Sequence, residues 1–148
     1  MKTLTITLVL CLVAPMAFAK PTTCRSWQGM EVPYLGDSSL NKIGDIYFDK
    51  SERPLILLNP EILGEVPPLA AEFWLAHICG HHALTPEYNT EEEADCFAMR
   101  SLSKKKIRSD EKREELYEQL RSLQPGELGE HQPDAARIDA LRQCELPD

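Results

Sequence analysis

The chain has 148 residues, with 24 acidic against 16 basic side chains and a formal net charge of −8. That acidity argues against nucleic acid or an anionic membrane surface as a partner. The length suits one modest domain with a real core, and no internal repeat, low-complexity tract or second domain is visible.

Met1 to Ala19 has the form of a secretory signal. Lys2 supplies the positive charge, Leu4 to Val13 the apolar run, and Ala17-Phe18-Ala19 a small-residue cleavage pattern before Lys20. The segment is too short for a membrane span and holds Pro15. Cleavage after Ala19 leaves residues 20–148 as a single domain, periplasmic or secreted, with no membrane attachment. Cys11 leaves with the signal, so Cys24, Cys79, Cys96 and Cys144 remain. An even count in an exported chain fits two disulfides, in any of three connectivities.

Gly44 to Asn59 reads as a hairpin, two short β-prone runs (45–49 and 54–58) around Lys50 to Arg53. Asn59-Pro60 opens a helical turn through Leu63, and Pro67-Pro68 suits the first turn of a helix running to about Leu84. That helix is apolar on nearly every face (Leu69, Ala70, Phe73, Trp74, Leu75, Ala76, Ile78), so it belongs inside the fold. After a loop broken at Pro86, Thr90 to Glu93 fits a capping box opening a helix with Ala94, Phe97, Ala98, Ser101 and Leu102 as its stripe. Lys104-Lys105-Lys106 reads as a solvated connection. Ser109 or Asp110 starts a further helix with Leu116, Leu120 and Leu123 on one side. Gln124 to Pro133 is a Pro/Gly loop, and Asp134 caps a last helix carrying Ile138, Leu141 and Cys144. The fold class is α+β, mainly helical, with a small sheet before the long apolar helix.

His77 and His81 stand four residues apart on that buried helix, so both imidazoles share one face and can address one ion. A buried imidazole wants a polar partner, and a carboxylate cluster (Glu91, Glu92, Glu93, Asp95) follows within one helix-loop-helix unit. His82 points about 100° away from His81 and reads as a hydrogen-bonding residue of the core or surface rather than a ligand.

The stretch resembles gluzincin-type zinc metallopeptidases, whose pattern is HExxH on one helix and ExxxD on the next. The matching residues are His77-Ile78-Cys79-Gly80-His81 and Glu91-Glu92-Glu93-Ala94-Asp95. The likeness covers Gly44 to Leu102 and implies a minigluzincin-like domain binding one Zn2+ per chain. It implies His77, His81 and Glu91 as metal ligands and Asp95 as the group that hydrogen-bonds a ligand histidine. It also makes His131, in the late loop, a candidate to polarise a bound carbonyl, with an ordinary loop residue as the alternative. If both ligand faces converge on one ion, Cys79 points about 180° from the mean direction of its two histidines and Cys96 about 140° from Glu91. That geometry favours Cys24–Cys79 and Cys96–Cys144 over a Cys79–Cys96 bridge; pairing of the two terminal cysteines, Cys24 and Cys144, stays open.

The departure is at Ile78, which occupies the position of the family's general base. In that family the Glu takes a proton from the attacking water and delivers it to the leaving amine, which Ile cannot do. The expectation is a zinc-binding protein of metallopeptidase form with impaired or absent proteolysis, gripping an extended peptide or protein along a sheet edge. Two alternatives remain. One is a working peptidase with an unconventional base, for which Glu72 and Glu87 lie nearest in sequence. The other is a metal-free, disulfide-stapled helical binding domain.

Overall fold

The computed structural model describes residues 23–147; the expected signal segment lies outside them. The described chain is α+β and helix-dominated. Strands β1 (Cys24–Arg25) and β2 (Glu31–Val32) pair antiparallel as a short ribbon. Strands β3 (Tyr34–Gly36), β4 (Gly44–Phe48) and β5 (Pro54–Leu58) form a second sheet in the order β3-β5-β4. Helices α1 (Pro60–Glu65), α2 (Pro68–Ala83), α3 (Glu91–Ser103), α4 (Asp110–Ser122) and α5 (Ala135–Ala140) follow.

The β4–β5 hairpin forms because Asp49 organises its turn. Its Oδ1 accepts from Ser51 N at 2.8 Å and Arg53 N at 3.0 Å, while Glu52 takes the left-handed conformation with φ 58°. Along β5, burial alternates residue by residue, so Ile56 and Leu58 enter the core. At its end Asn59 caps α1, its Oδ1 accepting from Glu61 N at 2.9 Å and Ile62 N at 3.3 Å. The Nδ2 of the same side chain donates to Leu40 O at 2.8 Å and pins the preceding loop.

Strands β1 to β3 leave no alternation to read, being two or three residues long. They exist through long-range partners. Strand β3 lies parallel to β5, with Leu35 opposite Leu57, and the Tyr34 hydroxyl donates to Leu75 O on α2 at 3.0 Å.

Helix α2 is the axis of the core, burying Ala70, Phe73, Trp74, His77, Ile78, Cys79, Gly80 and His82. Pro67 gives its first turn no side-chain cap, and Gln119 of α4 supplies one instead. The Gln119 Oε1 accepts from Leu69 N at 2.8 Å and Ala70 N at 3.2 Å. Helix α3 packs tightly against α2 at Gly80, where an added Cβ would lie 3.2 Å from the Ala94 Cα. Leu116 and Leu120 of α4 join the same core.

Two elements differ from the sequence expectation. Thr90 caps α3, its Oγ1 accepting from Glu93 N at 3.2 Å, but Thr90 N donates to Tyr88 O at 2.9 Å. The reciprocal half of the capping box is therefore replaced by a turn bond, and Glu93 faces Arg100 at 4.0 Å. The last helix ends at Ala140, and Leu141–Gln143 tightens into a 3-10 turn before Cys144.

Two disulfides close the fold: Cys24 to Cys79, tying the first strand to α2, and Cys96 to Cys144, tying α3 to the final segment. Among the described residues, no helix is long and apolar enough to cross a membrane.

Gly44 marks where β4 meets α2. A Cβ there would stand 2.4 Å from the Leu57 carbonyl oxygen and 2.7 Å from the Trp74 ring. Neither the backbone nor a fully buried indole can yield cheaply, so Gly44→Ala destabilises by about 3 kcal/mol, at the upper end of overpacking costs. A urea midpoint equal to wild type would refute this.

Candidate metal centre

The site is assembled from three elements. Helix α2 contributes His77 and His81, the first turn of α3 contributes Glu91, and the 3-10 turn Gly129–His131 contributes His131. One ligand atom from each of these four residues lies within 4.8 Å of all the others, and the group can hold a metal ion.

The hydrogen bonds around the group decide which atoms face inward. The buried His77 presents Nδ1 to Asp95 Oδ1 at 2.9 Å, so the Nδ1–H donates outward and Nε2 faces the centre. His81 does the same with Asn89, Nδ1 to Oδ1 at 2.7 Å. The two Nε2 atoms are then 3.1 Å apart. Glu91 completes the triangle, with Oε2 3.3 Å from His77 Nε2 and Oε1 3.2 Å from His81 Nε2. Two imidazole lone pairs and a carboxylate repel at such distances unless a cation or proton sits among them. The Glu91 Oε2 is buried, with the Arg137 guanidinium as its nearest cation at 3.1 Å.

The titration of the group reflects this crowding. Burial works to lower the His77 pKa, but hydrogen bonds to Asp95 and then Glu91 outweigh it and hold the value above the ordinary 6.5. His81 is pushed the other way by burial, with its bond to Asn89 opposing and the nearby His77 adding to the shift. The hydrogen bond from His77 holds Glu91 down at about 2, burial opposing and His131 assisting. Both shifts favour placing a proton on the histidine side of the His77–Glu91 contact.

Asp95 is itself fixed. Arg137 grips it with two bonds, Nε to Oδ2 at 2.9 Å and Nη2 to Oδ1 at 2.8 Å, and Nη2 also lies 3.1 Å from Glu91 Oε2. The guanidinium thus balances a carboxylate that is almost wholly buried and aims it at His77.

Of the residues singled out from sequence, His77, His81, Glu91 and Asp95 come together as one cluster, and His131 joins them. Its Nδ1 is 3.0 Å from Glu91 Oε1, and its ring centroid is 4.8 Å from that of His81. His82 is not part of the group; it is buried edge-on against Phe48, with ring centroids 6.0 Å apart. Glu72 is paired with Lys106 at 3.2 Å and Glu87 is exposed, so neither joins the cluster. Three participants carry no signal in the sequence reading. Asn89 sits in a loop, Asp45 in the hairpin, and Arg137 lies 42 residues from the Asp95 it holds. Only the closeness of Asn89 to the cap at Thr90 offers a local cue.

Ile78 is fully buried and belongs to the continuous apolar core. Placing a carboxyl there removes a well-packed branched side chain and buries a polar group. Ile78→Glu therefore costs about 3 kcal/mol or more, read as a lower denaturation midpoint. An unchanged midpoint would show that the side chain reaches water.

No family model, curated protein or solved structure matches this chain.

Proposed function

We propose that this protein is an exported zinc-binding domain of gluzincin-like form that does not hydrolyse peptides efficiently. The observation that carries the metal reading is the inward convergence of His77 Nε2, His81 Nε2 and Glu91, with each imidazole's Nδ1 committed to an outside acceptor. The donor set of two imidazoles and a carboxylate suits zinc, whose bonds of about 2.0–2.1 Å place neighbouring ligand atoms roughly 3.3 Å apart in a tetrahedron. The two Nε2 atoms are 3.1 Å apart, and each has one of the two Glu91 oxygens at 3.2 or 3.3 Å. When bound, zinc supplies Lewis acidity and makes a coordinated water more acidic.

The chain's own residues position that ion but offer little for proton transfer. Asp95 and Asn89 hold the two imidazoles in the ligating tautomer, and Arg137 restrains both Asp95 and Glu91. Ile78 can neither accept nor deliver a proton where the family's base stands. Loss of a general base costs about 10²–10⁴-fold in rate. The role that remains is binding, and the edge strand β4, with Phe48 exposed at its end, is the surface proposed for an extended peptide. Two disulfides fit an oxidising or extracellular location, and export through a signal at Met1 to Ala19 is the proposed route.

The test is the zinc content of oxidised protein purified without chelator or affinity-tag metal, followed by a peptide-cleavage assay on the loaded form. One zinc per chain without turnover is the expected result. Zinc-dependent cleavage would favour a working peptidase. A metal-free protein whose melting temperature ignores both zinc and chelator would leave a disulfide-stapled helical domain.

A further inference from the structure

We infer that His131 is a fourth protein ligand, closing the metal site instead of leaving a position open for water or substrate. This rests on the zinc reading above and goes beyond it, because the ligand count separates two kinds of site. Catalytic zinc keeps three protein ligands and an exchangeable fourth position, whereas structural zinc is bound by four protein ligands.

Three observations support closure. The first is placement: the His131 ring lies 4.8 Å from the His81 ring and 5.6 Å from the His77 ring, and its Nδ1 is 3.0 Å from Glu91 Oε1. The second is the pattern of outer partners. His77 turns its far nitrogen to Asp95 and His81 to Asn89. His131 repeats the arrangement in the opposite tautomer, with Nδ1 inward and Nε2 4.0 Å from Asp45 Oδ1. A hydrogen-bonded oxygen behind His77 and His81 orients each ring and makes its inward nitrogen a better donor, and behind His131 a carboxylate stands at ion-pair distance. Asp45 is held in turn by an ion pair with Lys42 and by Ile46 N, which donates to its Oδ1 at 2.7 Å.

The third is that the loop is a fixed platform. Leu128 is buried in the core, and its carbonyl accepts from Trp74 Nε1 at 3.2 Å. Leu128 N donates to Gln132 Oε1 at 3.2 Å, and Gln132 Nε2 donates to Gln124 O at 3.0 Å. Gly126 and Gly129 take the positive φ values of 89° and 69° that let the chain turn back toward α2. The loop presents one imidazole at the mouth of the triangle formed by the other three ligands.

A closed His-His-Glu-His site removes the second requirement of hydrolysis, as Ile78 removes the first. The domain then holds its metal as a structural or sequestered ion.

The experiment loads wild type, His131→Ala and His131→Gln with Co2+ in place of zinc and records the visible ligand-field spectrum before and after azide. The wild-type spectrum is expected to be four-coordinate and unmoved by azide. Both variants should bind the metal at least about 10-fold more weakly and shift on azide addition, because losing a direct ligand costs no less than losing an outer partner. The Gln variant separates ligation from hydrogen bonding, since its amide can still donate to Glu91. Wild-type affinity in His131→Gln, or an azide shift in wild type as large as in the variants, overturns closure while leaving the three-ligand site standing. Failure of wild type to bind Co2+ or zinc at all overturns the metal site and the closure with it. Circular dichroism of each variant establishes that it is folded, and the wild-type azide response tests closure without any substitution.

Discussion

Replacing His77 and His81 together with alanine is expected to abolish the proposed stoichiometric zinc binding and to leave the fold in place. Structural zinc sites bind with apparent free energies of about 10–16 kcal/mol, roughly 3 kcal/mol for each of four ligands. Removing two therefore weakens binding by about 6 kcal/mol, on the order of 10⁴-fold. The fold tolerates the change because Asp95 keeps both bonds from Arg137 when His77 is gone, so no buried charge is left unpaired. Competition titration against a calibrated chelator measures the affinity. Thermal melts supply a second readout: saturating zinc at about 1,000 times Kd stabilises wild type by about 4 kcal/mol, and the double variant should not respond.

Affinity should also fall as pH drops through the raised pKa of His77, because proton and metal compete for the same nitrogen. The loss begins at higher pH than for an ordinary imidazole. A double variant that retains one zinc with wild-type affinity would refute the assignment of α2 as the ligand helix.

Removing either disulfide should cost about 4 kcal/mol. The bridges span sequence separations of 55 and 48 residues. The chain-entropy relation gives about 4 kcal/mol for a loop of either length. A domain of this size has a total stability of about 5–15 kcal/mol, so losing both bridges removes half of it or more. The two act in different places. Cys24–Cys79 holds the β1–β2 ribbon on the back of the ligand helix, whereas Cys96–Cys144 follows directly on Asp95 and fastens the segment after α5, which carries Arg137. Cys96→Ala/Cys144→Ala should therefore lower zinc affinity as well as the melting temperature, and Cys24→Ala/Cys79→Ala chiefly the melting temperature. Melting temperatures that are the same with and without reductant would contradict the assignment of these bridges as stabilising.

The sequence by itself determined whatever depends on near neighbours. Asp49, Asn59, Thr90, Ser109 and Asp134 each organise a turn or helix start within four residues of themselves, so the β4–β5 hairpin and the helix starts were legible. The spacing of His77 and His81 put two imidazoles on one face by helix geometry alone. The resemblance then named Glu91 and Asp95 as the residues to look for.

Only the tertiary structure decided the rest. Strand β3 exists because β5 offers it a parallel partner, and α2 is capped by Gln119 from a helix 50 residues later. His131 in an irregular loop has no periodicity to betray its direction; it reaches the cluster because Leu128 is buried beneath Trp74 and two glycines turn the chain back. Arg137 and Asp45 are ordinary surface residue types in the sequence, and the packing of α5 and β4 against the ligand helices is what makes them partners of Asp95 and His131. The number of imidazoles that converge on one point is a property of packing across the described chain, where local spacing carries no information.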